Sequence, residues 1–396
     1  MYLFRTRVLF VLVVALGLGL AIVLGAARSG QADARDRGNG KTVALHVQRV
    51  GPPRYVRTSD RRVHVVYNLF VTNSFVGDVT LKRLRIKSQG KALQDLGPKE
   101  FAAHTHPILR ESVNLSVLTP STSAMVLVDI PLRRGDRVPS SLNHRISYSL
   151  PKDFPANAVI DSTVALGPRL RVPTRPAVKI ASPLRGSGWW AGGGCCNPDQ
   201  RHRGALLTGN GTFFTSEMFD IDWLQVQNGG IFSGDGKSLT DYYGYGKKIY
   251  AVAPGRVVSV TNDRPEAPLD GPNENLDGAD SFAGNKVIIR MARNMYQFYG
   301  HFQPGSVRVR RGQRVQSGKV LGLLGNSGNS SAPHLHFGIH DGPVPATSNS
   351  LPFRIDHYRY QGSADFDEKD GTVPLKGKHR NERNTYPLNL SAQRYE

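Results

Sequence analysis

The chain is poor in cysteine: 396 residues hold only Cys195 and Cys196, and these are adjacent. A framework of disulfides is therefore excluded. Neighbouring Cα atoms lie about 3.8 Å apart across a trans peptide, below the usual span of a disulfide. The pair is left with a local role, as a vicinal bridge or two thiols in a loop. Internal repeats and coiled-coil heptads are missing, and long helical patterns are scarce. Acidic residues are in deficit, 31 against 51 lysines and arginines, for a formal charge of +20. Such an excess attracts polyanions, either nucleic acid or an anionic cell envelope. Long apolar runs are also lacking, apart from residues 8–27, which carry no charge. At 1.5 Å per helical residue that run reaches about 30 Å, the thickness of a bilayer core. It reads as an uncleaved membrane anchor or as a signal peptide cut at Gly25-Ala26-Ala27 or Ala32-Asp33-Ala34. Arg5 and Arg7 stay inside in either case, so the remainder is expected outside the cytoplasm, anchored or secreted. That location, with no nucleic-acid-binding motif, argues against nucleic acid as the partner. Anionic envelope polymers are expected instead.

What the chain has in abundance is β texture. Residues 1–27 form the anchor or signal, and residues 28–41, charged and Gly-rich, a linker. Residues 42–178 contain strand-like runs at 43–50, 63–71, 79–86, 124–130 and 144–150, separated by turn residues. That spacing predicts an antiparallel β-sandwich. Residues 179–200 form a connector rich in Gly and Trp, expected to be irregular backbone packed through Trp189 and Trp190. Residues 201–396 form a second β-rich region, with strands expected at 249–260, 286–290 and 296–301. The fold class is all-β, a sandwich followed by an open antiparallel sheet. Residues 262–284 form an acidic loop without the spacing of a calcium-binding loop, expected to be a solvated surface segment.

The chemistry concentrates in Pro333-His334-Leu335-His336-Phe337, which follows the loop Gly325-Asn326-Ser327-Gly328-Asn329. In a strand, His334 and His336 share one face while Leu335 and Phe337 face the core. A hydrolytic zinc site needs three protein ligands and an open position. His336 offers one. Between His144 and His301 the one histidine is His202, which becomes the second. Phe219-Asp220-Ile221-Asp222-Trp223 alternates acid and apolar residues. Asp222 is the expected carboxylate ligand, with Asp220 in reserve.

These blocks occur in order with Tyr250-Ala251-Val252-Ala253-Pro254-Gly255, Gly284-Asn285-Lys286-Val287, Tyr299-Gly300-His301-Phe302 and Val315-Gln316-Ser317-Gly318-Lys319. Together, over about residues 201–339, they resemble the M23 peptidases, the lysostaphin/LytM-type zinc endopeptidases of bacterial cell walls. The resemblance implies zinc held by His202, Asp222 and His336. It also implies that His301 and His334 flank the activated water and the scissile carbonyl, one as general base and one stabilising the oxyanion. The implied substrate is a peptide cross-link of peptidoglycan. In one respect the chain departs from the family, whose first histidine and aspartate commonly lie only a few residues apart. Here Gly209-Asn210-Gly211 intervenes, a turn signal.

Competing readings are weaker. His104-Thr105-His106 repeats the spacing of the histidine pair, but no Gly-rich loop precedes it; it reads as surface decoration. His340 and His357 also read as surface residues, and Trp223 and Phe337 as core. Ser327 lacks the second glycine of a nucleophile elbow, so a serine hydrolase is set aside. The alternative function is a non-catalytic envelope scaffold that recruits or activates another wall hydrolase, and metal content separates the two.

Overall fold

The structure is a computed structural model that describes residues 40–396 except 109–112, 199–200, 272, 274 and 368. The predicted anchor or signal, and the linker up to residue 39, lie outside the described residues. Among the described residues no helix is long and apolar enough to cross a membrane. Residues 41–396 form one compact unit.

Alternation of apolar and polar side chains builds the first half. One sheet of four strands joins Leu45–Arg57, Val63–Asn73, Ser123–Leu132 and Thr105–His106 in that order. A second sheet centres on Val79–Ser88 and Ser141–Ser149. Val65, Tyr67, Leu69 and Val71 from the first meet Leu81, Leu84, Ile86 and Ile146 from the second in one buried cluster. The sandwich predicted from the sequence is therefore present. Strand Val63–Asn73 departs from simple alternation, being buried along most of its length. Its outer face is covered as well: Phe70 joins Val50, Met125, Leu127 and Leu206 in a separate apolar cluster. A strand buried on both faces reads as a near-continuous apolar run, as Val65 to Val71 does apart from the buried Asn68.

The second half is organised by a sheet of twelve strands. Its middle runs Ser391–Tyr395, Gly186–Gly192, Ile221–Gln225, Leu335–His340, Met295–Phe302, Asn285–Ala292 and Gly255–Thr261. The Gly/Trp-rich segment, expected to be irregular, is thus a central strand. Trp189 pairs with Gln225 and Ala191 with Trp223, and both tryptophans are buried. Burial of two indoles outweighs the backbone entropy of the glycines. Trp223, Phe337, Tyr299 and Phe353 fill the core on one side of the sheet, as expected for Trp223 and Phe337. Cys195 and Cys196 are disulfide-bonded to each other and fully buried.

The turn signal between His202 and Asp222 makes a hairpin, Leu207–Gly209 with Thr212–Phe214. Asn210 and Gly211 both have positive φ, 49° and 73°, the backbone that favours an Asn-Gly pair in a two-residue hairpin turn. The extra residues loop out, and the chain returns to the sheet at Ile221. The acidic loop is held by specific bonds. Glu266 accepts from the Asn326 amide at 2.6 Å and from the Tyr245 hydroxyl at 3.1 Å, and Asn273 donates to the Gly328 carbonyl at 2.7 Å.

Candidate metal centre

Register brings the site together. Strands Ile221–Gln225 and Leu335–His340 pair antiparallel with Asp222 opposite His336, and Gly300 of the next strand faces His336 from the other side. Directly opposed residues share a face of the sheet, so Asp222 and His336 meet without a connecting loop. His202 arrives from the short helix Arg201–Gly204. Its Nε2 lies 3.1 Å from Asp222 Oδ2, and His336 Nδ1 lies 2.8 Å from Asp222 Oδ1. His334 Nε2 lies 3.4 Å from the same Oδ1. The rings of His301 and His334 are 4.5 Å apart, centroid to centroid. All five residues named from the sequence therefore gather in one place.

Tautomers follow from what each ring touches, because a carbonyl oxygen can only accept. His202 Nδ1 faces the Asp220 carbonyl at 3.0 Å, so it carries a proton, and in the neutral ring Nε2 holds the lone pair. His301 Nδ1 donates to the Ser327 carbonyl at 2.6 Å, and His334 Nδ1 to the Ala332 carbonyl at 2.8 Å. His336 is reversed: its Nε2 donates to Asp220 Oδ2 at 3.1 Å, which leaves Nδ1 toward Asp222. The lone pairs of His202 and His336 thus converge on Asp222.

That convergence is a fit test for a metal. Asp222 Oδ1 is buried and accepts no hydrogen bond, although His336 Nδ1 is 2.8 Å away. The candidate ligand atoms of the three residues are gathered in one small region. A buried carboxylate oxygen without a partner is costly, and a cation shared by the three groups would satisfy it. One ligand atom from each of His202, Asp222 and His336 lies within 4.8 Å of the others; the same holds for His301, His334 and His336. Two histidines and a carboxylate suit zinc. A third triple, His64, Asp129 and Cys196, is less apt, since Cys196 is disulfide-bonded and has no thiolate to give.

Asp220 is not among the converging groups. It is fully buried and works one layer out. Its Oδ2 accepts from His336 at 3.1 Å and from His340 at 2.8 Å, and its Oδ1 from the Ser350 hydroxyl at 2.6 Å. Gly338 makes room for it, since a Cβ there would overlap the carboxylate. Burial alone would push the Asp220 carboxyl up, but His340 and His336 hold it well below the usual range. His340, expected at the surface, is therefore buried and spent on Asp220 and Ser348. The sequence offered one signal for this: 336, 338 and 340 share a face, with glycine in the middle. His357 is exposed, as expected. His104-Thr105-His106 is a second correction, because His106 and Thr105 are buried. His104 Nδ1 bonds the Leu127 carbonyl at 2.7 Å.

His301, next to last in strand Met295–Phe302, has φ of 63°, a left-handed conformation rare for a residue with a side chain and often found at functional sites. Burial, then the neighbouring His334 and His336, hold its pKa well below the ordinary imidazole value. Helix Arg201–Gly204 is tied to the sandwich by Arg203, which is fully buried. Its guanidinium donates to Asn68 Oδ1 at 3.2 Å and to the Val128 carbonyl at 3.1 Å.

Comparison with known proteins agrees with this geometry. Residues 239–348 match peptidase family M23, so the chain carries an M23 peptidase domain. Peptidoglycan DD-endopeptidase ShyA of Vibrio cholerae is 34% identical over 73 residues, 18% of this chain and 16% of that protein. The L-Ala–D-Glu endopeptidase of Bacillus subtilis is 31% identical over 72 residues, 16% of this chain and 22% of that protein. The chain thus spans less than a quarter of the length of either relative. The catalytic domain of lysostaphin from Staphylococcus simulans aligns at 18% identity and a TM-score of 0.24, covering 41% of this chain and 86% of that one. The matched segment contains His301, His334 and His336, whereas His202 and Asp222 precede it. Those two are joined to the site by the fold.

Proposed function

We propose that this protein is an exported zinc endopeptidase that hydrolyses peptide cross-links of bacterial peptidoglycan. One observation carries the reading: His202 Nε2 and His336 Nδ1 converge on the Asp222 carboxylate, whose buried Oδ1 accepts no hydrogen bond, beside a second histidine pair. The M23 match and the wall endopeptidases among the relatives support the substrate class.

His202, Asp222 and His336 would hold the metal. Zinc supplies Lewis acidity, which lowers the pKa of water to about 7 and polarises a carbonyl. The chain's own residues do the rest. The Asp220 carbonyl and carboxylate hold both imidazole ligands in the tautomer that presents a lone pair. The Ser327 and Ala332 carbonyls do for His301 and His334 what the Asp220 carbonyl does for His202, holding the proton on Nδ1 and leaving Nε2 toward the site. A buried, neutral His301 is suited to take a proton from the attacking water. His334, once protonated, can donate from Nε2 to the developing oxyanion or leaving amine.

The test is full-length protein loaded with zinc and incubated with peptidoglycan, with release of new amine ends as the readout. Amine ends from the wild type but not from His336→Ala are expected. Zinc bound at one equivalent without any amine release would leave only the scaffold role.

A further inference from the structure

The charge of this chain is unevenly distributed. Residues 281–340 contain eight lysines and arginines and no aspartate or glutamate. Register gathers three of them. Arg314 pairs with Arg256, and Arg256 with Arg290, so three arginines stand side by side on three adjacent strands. All three are exposed. Their Cβ atoms are about 5 Å apart at each step. Arg293, Arg310 and Arg311 lie next to the row, the last two in a loop bound to Arg256 through the Gly312 carbonyl at 2.9 Å. A groove of about 590 Å3 runs between Arg256, Arg290, Arg293 and Arg314.

Like charges directly opposed on neighbouring strands are destabilising. Other arginine clusters sit on a shared carboxylate: Arg83 and Arg85 share Asp95, and Arg61 and Arg380 share Glu382. Among the described residues none of the six arginines around the groove is ion-paired. The row is a set of forked donors waiting for acceptors.

We propose that this row binds a linear polyphosphodiester, an anionic polymer of the envelope, and so holds the peptidase against its wall substrate. Single-stranded nucleic acid is disfavoured because its bases are gripped by aromatic platforms, and the groove offers one half-buried aromatic, Tyr296. The row also has the right relation to the metal centre. Arg290 pairs with Tyr296, Tyr296 with His340, and Gly300 with His336, which keeps the arginines on the face that carries the site. Four residues along one strand and two strands across separate Arg290 from His336 by roughly 15 Å. A polymer lying in the groove leaves the cleft open.

The proposal rests on the wall-peptidase reading for the identity of the polymer but not for the binding itself, and the two fail separately. Binding of synthetic polyglycerol phosphate is measured by fluorescence anisotropy over 50 to 300 mM salt, each concentration being of order the cell's ionic strength. The variant Arg256→Gln/Arg290→Gln/Arg314→Gln is compared with the wild type and with the control Arg83→Gln/Arg85→Gln. The triple variant is expected to bind at least about tenfold more weakly, with the slope of log K against log salt reduced by about 2, while the control is unchanged. Zinc-dependent hydrolysis of a short soluble wall peptide should be the same in all three proteins; its loss in every one, wild type included, would count against the peptidase and not against the row. Equal polymer binding by triple variant and control would overturn the proposal. So would single-stranded DNA of matched charge that binds the row more tightly than the polymer.

Discussion

Two His-x-His sequences occupy the two halves of this protein, and they end in different chemistry. His104 ends the short helix Pro98–Ala103, and Thr105–His106 is a two-residue edge strand of the sandwich. His334-Leu335-His336 enters a six-residue strand inside the large sheet. At the edge, the ring of His104 is tied to the Leu127 carbonyl at 2.7 Å, and neither histidine belongs to a converging group of ligand atoms among the described residues. At the centre, the neighbouring strand supplies Asp222 directly opposite His336 and Asp220 beside Gly338. His104 keeps helical backbone at the helix end, so its ring and that of His106 are not displayed on one strand face. In the large sheet, the strand and the neighbour's carboxylate together bring a candidate ligand set into one place.

The sharpest way to break that comparison is to remove one histidine from each pair. His336→Ala should lose bound zinc and, with it, peptidoglycan hydrolysis, because two ligands cannot retain the metal. His106→Ala should keep one equivalent of zinc and the wild-type rate within about twofold, since surrounding changes away from a site rarely touch it. Metal analysis and amine release read both. His301→Ala should bind zinc normally and lose rate by about 10²- to 10⁴-fold, the range for a general acid or base. A His301→Ala protein of undiminished rate would remove His301 from the proton transfer.

A smaller effect is expected from Asp220→Asn. The amide can still accept from His336 but no longer as a charged partner, and outer-shell changes of this kind cost about 10- to 100-fold in metal affinity. Competition with a chelator measures it. Unchanged affinity would mean that Asp220 serves packing alone. This residue also marks how far the sequence could be read. The alternation in Phe219-Asp220-Ile221-Asp222-Trp223 showed two acids on one face, and His336 was legible from its own strand. Which acid meets the ion depends on register between strands more than a hundred residues apart, a quantity no local pattern contains. The sandwich strands were legible for the opposite reason: alternation over each run decides which face is buried. His340 was misjudged because its partners, Asp220 and Ser348, are set by the same register. The Gly/Trp segment was misjudged because burial of Trp189 and Trp190 overrode the local preference of the glycines.

Arg203 tests whether the sandwich matters to the site. Arg203→Met strips a donor from the buried Asn68 side chain and Val128 carbonyl, a loss of about 1–3 kcal/mol. It also frees the helix that carries His202. Urea midpoint and chelator competition should both fall, the affinity by less than the Asp220→Asn change. Arg83→Met is the control, removing an exposed, solvent-screened ion pair with Asp95, and should leave the urea midpoint nearly unchanged. Should affinity hold while stability drops, the sandwich would be a support for the fold and not for the ligand.

The smallest expected effect on the metal centre comes from His64, which lies in the sandwich between Asp129 at 2.8 Å and Asp60 at 3.1 Å. Burial works against its charge, but the two carboxylates outweigh it and raise its pKa to about 9. The unfolded chain has a value near 6.5. The folded state therefore binds this proton more tightly, and the stabilisation is complete below about pH 6.5 and disappears as pH rises through about 9, an effect of about 2–3 kcal/mol. His144 behaves in the reverse sense. Burial depresses its pKa to about 4, so its contribution is present above about pH 6.5 and is lost as pH falls toward 4. Urea midpoints from pH 5 to 10 should consequently rise to a maximum near pH 6.5 and decline on the alkaline side until about pH 9. His64→Gln should flatten the alkaline decline while leaving zinc affinity at pH 7 unchanged. An alkaline decline that persists in His64→Gln would assign it to groups outside the sandwich, and the separation between a fold-stabilising and a metal-binding set of histidines would fail.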